Sequence, residues 1–182
     1  MNKLYTLLMF MCSLSLALST NAQSTQSQND AQITALFLYN FVNFSEWPDA
    51  AFRNDQAPIQ MCLYGHIPFH TYLDAVNGTL IGKRRLHIYR TEKLSEIKDG
   101  CHVLFVSEDR KAELPNFWNN INYYYVLSVG EQEAFTDQGG IINIMRTRDH
   151  LSFDINVSNA LEAGLFLEAD LLDLARKVKT ND

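Results

Sequence analysis

The segment GTLIGKR (78–84) sets glycines beside a lysine, the combination with which a phosphate-binding loop surrounds an anion. That loop requires four residues between its glycines and a Ser or Thr after the lysine. Here three residues intervene and Arg84 follows Lys83, so the segment is read as a turn leading into a strand at Leu86. Gly139-Gly140 is a second glycine pair. The apolar run IINIM (141–145) that follows it reads as a strand, not as the helix whose N-terminus would face an anion. The pair is therefore assigned to positive φ and close approach of the backbone where a strand begins. Among the histidines, His66 and His70 are four apart, a spacing that lets two imidazoles share a metal on one helix. Pro68 between them starts a helix rather than continuing one, and no third ligand stands nearby. His87 and His150 fall at strand positions, where hydrogen bonding or exposure accounts for them, and no G-x-S-x-G nucleophile elbow occurs. No catalytic constellation, metal site or cofactor site is complete. The chain is not read as an enzyme.

The cysteines depend on the compartment. Asn2 and Lys3 precede a mostly apolar stretch over 4–18, and small residues follow up to Ala22, the pattern of a secretory signal peptide over 1–22. The apolar stretch is shorter than the ~20 residues a membrane span needs, so cleavage is expected rather than anchoring. Cys12 is then lost, and Cys62 and Cys101 remain, each within an apolar run. An even pair in an exported protein reads as a disulfide; two buried free thiols are the rival reading, disfavoured by an oxidising compartment. Removing the signal leaves about 160 of the 182 residues, enough for one domain with its own core. The acidic excess, 21 Asp and Glu against 15 Lys and Arg, argues against nucleic acid as a partner. No second apolar span appears, so the exported protein is not expected to cross a membrane itself.

These residues must be positioned by elements that the pattern suggests. QSTQSQND (23–30) has nothing to bury and is read as a disordered polar leader before a domain over 31–179. Ile33, Leu36, Phe37, Phe41 and Phe44 recur at helical spacing, and Leu38, Val42 and Trp47 make the opposite side apolar as well. Such a helix is deeply buried or packs on a partner, and Pro48 is expected to stop it. Strand-like runs at 59–64, 86–89, 103–106 and 123–129 alternate with helical candidates at 69–76, 94–98, 110–120 and 131–135. That alternation predicts an α/β domain with a mostly parallel sheet and helices on both faces. The runs 141–145 and 151–155 are joined too closely for a crossover, so they form an antiparallel hairpin. Helices are expected at 157–164 and 169–179.

Taken in order, ALFLYNFVNFSEWP (35–48), MCLYG (61–65), the G-K-R-x-L segment at 82–86, C-x-x-L-F-V (101–106), QGGIINI (138–144), HLSFDIN (150–156) and AGLFLEADLLDLARKV (163–178) resemble the YfiR family of exported regulatory proteins. The resemblance spans nearly all of the chain after the signal. It implies a periplasmic, non-enzymatic α/β protein that forms dimers and represses an inner-membrane diguanylate cyclase by binding its periplasmic sensor domain. Cyclic-di-GMP and biofilm formation would fall in consequence. Cys62 and Cys101 match the family's core disulfide. Some members carry a second, later cysteine pair that this chain lacks, so switching that depends on it is not expected here.

Asp154 and Asn156 fill the polar positions of the family's F-D/E-x-N pattern, on the strand face opposite Phe153 and Ile155. Asp154 is the better candidate for contact with a partner or ligand, since Asn156 equally suits the cap of the next helix. Met61 and the junction residues Glu168, Ala169 and Leu171 are grouped with it as lining one concave area. Phe37, Phe41 and Phe44 are assigned to a dimer or docking helix. Two other functions stay open: a small-ligand module using Tyr123, Tyr124, Tyr125 or Trp118 as stacking surfaces, and an adaptor for a sensor histidine kinase.

Overall fold

The computed structural model describes residues 18–97, 100–118, 123–147 and 150–180. Most of the segment assigned to the signal peptide, residues 1–17, lies outside the described residues. A 26-residue helix, α1 (Leu18–Asn43), comes first. It leads through a short strand β1 (Ser45–Glu46) into β2 (Ile59–Tyr64), α2 (His70–Asp74), β3 (Leu80–Ile81) and β4 (Arg84–Thr91). Next come β5 (Val103–Val106), α3 (Leu114–Phe117), β6 (Leu127–Gly130), β7 (Ile142–Arg146) and β8 (Leu151–Asn156). The chain closes with α4 (Val157–Glu162), β9 (Phe166–Leu167), α5 (Ala169–Leu174) and β10 (Lys177–Lys179).

The eight-stranded sheet runs β10-β8-β7-β6-β5-β2-β4-β3, and β1 pairs separately with β9. Strands β4, β2, β5, β6 and β7 are mutually parallel. β2 pairs with β4 on one side and β5 on the other, so the order of connection reverses at β2. The strand pleat explains why these runs are almost wholly apolar. Met61 and Leu63 join one core with Phe41, Phe105 and Ile144, whereas Cys62 and Tyr64 join a second core with Leu104, Phe117 and Phe135. Helices cover both faces, and both faces of each central strand are therefore buried.

Glycine and cysteine chemistry settles as geometry. Gly139 has φ 101°, and a Cβ on Gly140 would lie 2.2 Å from the Phe135 ring, so the first supplies the turn and the second the close approach. Cys62 and Cys101 form a disulfide with Cα atoms 5.8 Å apart, fastening β2 to the segment before β5.

Several sequence expectations are corrected. The polar leader at 23–30 is helical, the outer turns of α1. Extending a helix from a docked segment fixes one residue per added hydrogen bond, so its nucleation cost is already met by the buried turns that follow. The helix ends at Asn43, before Pro48, where Ser45 starts the β1 pairing and its hydroxyl donates to Phe41 O. Tyr123–Tyr125 precede β6 rather than belonging to it: Tyr125 has φ 62°, outside strand geometry. Helical turns replace several short helices, as at Leu94–Glu96 and Phe135–Gln138. The last helix stops at Leu174, and Lys177–Lys179 instead lie parallel to β8. That pairing covers β8, which would otherwise be an open sheet edge.

Candidate functional site

The hairpin β7–β8 is antiparallel, with Ile144 opposite Phe153 and Asn143 opposite Asp154. Its length and close connection leave no other pairing, and its inward residues meet α1. Phe37, Phe41 and Phe153 form an aromatic cluster, with ring centroids 5.8 Å apart for Phe37–Phe41, 5.3 Å for Phe37–Phe153 and 4.9 Å for Phe41–Phe153. Phe153 stands edge-on to both, the arrangement the ring quadrupoles favour. Phe41 is buried, whereas Phe37 and Phe44 are partly open.

Beside this cluster lies a groove of about 350 Å³. Phe37, Phe41, Phe44 and Phe153 make its floor, Leu171 and Leu174 come from α5, and Asn40, His150 and Arg176 supply polar atoms. Leu174 is 68% exposed. Ser152 borders the groove too, but its hydroxyl lies on the strand face shared with Asp154 and Asn156, buried and without a hydrogen-bond partner among the described residues. Ser152 and His150 thus share a groove without forming a nucleophile–base contact. Chemically the groove suits an apolar side chain presented by a partner, with polar atoms within reach to fix its orientation.

The sequence grouping is only partly assembled. Leu171 lines the groove, and Glu168 and Ala169 adjoin it because Glu168 N–H donates to Phe44 O at 3.0 Å. Met61 does not: it is fully buried in β2, four strands away from β8 in the sheet. Asp154 also differs from expectation. It is 3% exposed, and Arg176 donates to both its oxygens, Nε to Oδ1 at 2.9 Å and Nη2 to Oδ2 at 2.6 Å. Its polar capacity is spent inside the chain, because the terminal strand brings Arg176 against β8. Asn156 caps α4, its Oδ1 accepting from Asn159 N–H at 3.1 Å. Arg176, Asn40 and Ser152 are groove residues that sequence reasoning did not single out, and His150 was read only as a strand histidine. Only Arg176 left a signal, as the first of three cations, with Lys177 and Lys179, at the end of the apolar stripe of the last helix.

Elsewhere, polar groups serve the frame. His102 receives Gln60 N–H on Nδ1 at 3.1 Å and lies 3.1 Å from Ala51 O through Nε2, and burial lowers its pKa. Tyr64 is pushed up to about 12 by burial and by its hydrogen bond to Glu113. Among the described residues no three His, Cys, Asp or Glu side chains converge as a metal site, and no helix is long and apolar enough to cross a membrane.

No curated protein matches the chain. Among solved structures, a conserved domain protein from Vibrio cholerae O1 biovar El Tor is similar at 9% identity and TM-score 0.49, covering 66% of this chain and 54% of that one. The ABC domain from Streptococcus pneumonia in complex with L-Trp is similar at 11% identity and TM-score 0.47, covering 67% of this chain and 55% of that one. This chain thus spans about half the length of each. The family model described as YfiR/HmsC-like, a family of periplasmic, non-catalytic regulators, matches residues 31–176, from the buried turns of α1 to the arginine that holds Asp154. The chain belongs to the YfiR/HmsC-like family.

Proposed function

We propose that this protein is exported through a cleaved signal peptide and represses a membrane-bound diguanylate cyclase by binding its periplasmic sensor domain. Membership of the YfiR/HmsC-like family supports the partner class. The observation that carries the reading is the aromatic-floored groove between α1, β8 and α5, with Leu174 exposed at its edge. Repression requires no chemistry. The protein need only bind the cyclase's inactive state better than its active one, and a preference of ~3 kcal/mol moves that equilibrium by roughly two orders of magnitude. Self-association is proposed through the exposed side of α1, where Leu36 is 54% open to solvent.

The decisive experiment is genetic and biochemical together. Deleting the gene should raise cyclic-di-GMP and surface attachment, and exported wild-type protein should reverse both. Exported Leu174→Asp and Phe37→Asp proteins that remain folded should fail to reverse them. Unchanged cyclic-di-GMP on deletion, in cells that express the cyclase, would overturn the reading and favour the sensor-kinase adaptor.

A further inference from the structure

A second cavity, of about 320 Å³, lies across Leu151 from the groove, at the carboxyl ends of the parallel strands. Open α/β sheets bind ligands at this end, outside the strands where the chain order reverses. Phe69 follows β2, Glu108 follows β5, Glu131 follows β6, and Ile144 and Arg146 end β7. Gln132 holds the floor in place, its Nε2 donating to Val106 O at 2.9 Å and to Ser107 O at 2.6 Å. The outer half of α1 forms the roof. Asp30 on that helix pairs with Arg146 across the mouth.

Three observations point to an occupant and to its charge. Thr34 lines the cavity at only 4% exposure, and its hydroxyl has no hydrogen bond among the described residues. Glu131 is partly buried and likewise has neither a hydrogen bond nor an ion pair there. The cation in the lining, Arg146, is taken by Asp30, and Lys111 pairs with Glu108 from outside, so among the described residues Glu131 meets the Glu108 carboxylate and no free cation. Burial and the Glu108 charge raise its pKa to about 7. The walls of Phe69, Ile144 and Leu151 offer apolar contact rather than further oxygen ligands, which a hard metal ion would require.

We propose that this crevice binds a small organic cation, an ammonium group carried on an apolar body, with Glu131 as its counter-charge and Thr34 as a hydrogen-bond acceptor. Binding would press on the same helix that walls the docking groove. The site is defined by binding alone and stands whether or not the protein represses a cyclase.

Calorimetry on the purified protein tests it, using phenethylamine, cyclohexylamine and choline as probes and 3-phenylpropionate as the anionic counterpart. At least one of the three cations should bind saturably at one equivalent, and the anion should not. Affinity should rise about tenfold from pH 6 to pH 8 as Glu131 ionises, and fall at least tenfold in Glu131→Gln. In the unaltered protein, amide shifts should respond at Thr34, Phe69 and Ile144, which keeps the test independent of how the variant folds. The proposal is overturned if no probe cation binds saturably, if Glu131→Gln binds as well as wild type, if 3-phenylpropionate binds equally, or if the shifts cluster around Leu174 instead.

Discussion

The two halves of the sheet solve different problems. Around β2, strands β4 and β5 pair with it in parallel, with antiparallel β3 only at the outer edge of β4, the Cys62–Cys101 disulfide closes the frame, and polar groups such as Arg84 are used internally. Arg84 is 5% exposed, donates to Asn54 O and Ala57 O, and lies 3.5 Å over the Phe52 ring. Around β7, β8 and β10 the pairing is an antiparallel hairpin finished by a three-residue strand, and cavities open on either side of Leu151. Here, among the described residues, the Ser152 hydroxyl and the Glu131 carboxyl lack partners, and Leu174 faces solvent. Satisfied polar groups and a covalent tie build rigidity. Unsatisfied ones leave hydrogen-bonding capacity that a water, an ion or a ligand can take up.

The largest expected effect belongs to the rigid half. Replacing both Cys62 and Cys101 with Ser should destabilise the protein by about 4 kcal/mol, by releasing a loop of 39 residues in the unfolded chain. Urea unfolding would show it as a lowered midpoint. A change below about 1 kcal/mol would mean that packing alone holds that half, and the contrast would weaken.

Next comes Glu131, on the open half. Its folded pKa lies near 7, above the ordinary 4.5, so the native state keeps its proton over a range in which the unfolded chain has released it. Stability from this group is therefore full below about pH 4.5 and is lost as pH rises towards 7, by roughly 2–3 kcal/mol. Glu131→Gln should flatten that slope in a pH series of unfolding curves. An unchanged slope would place the origin elsewhere.

Smaller still, Asp154→Ala should cost about 1–2 kcal/mol. The pair is buried on the Asp154 side, but the Arg176 side chain is 47% exposed and can turn to water once freed. If the variant keeps its stability yet loses repression, Asp154 acts on a partner after all. The smallest effect on folding is expected for Leu174→Asp, within about 0.5 kcal/mol, because the side chain is already exposed. Its partner binding should nonetheless fall at least tenfold, measured with a purified sensor domain. That separation of folding from binding is the sharpest form of the contrast between the halves.

Local pattern carried much of this fold. Wholly apolar runs such as MCLYG required strands buried on both faces, and the close spacing of 141–145 and 151–155 required a hairpin, because neither leaves the chain another way to bury its side chains and pair its backbone. Gly139-Gly140 was legible for the same reason: a strand after glycines offers no helix dipole to an anion. What the pattern could not convey were contacts between distant segments. Period two placed Asp154 and Asn156 on one strand face, but only the pairing of β10 with β8 buried them and brought Arg176 onto Asp154. Met61 sits beside Cys62 in sequence, yet strand order puts it far from the groove. Glu131 gave no signal at all, since its missing counter-charge depends on Arg146 meeting Asp30 more than a hundred residues away. The periodicity of each strand and helix is set by neighbours a few residues apart, and this the amino-acid order states directly. Which charge is satisfied, and which cavity stays open, depends on how separate elements pack, and that only the tertiary structure decides.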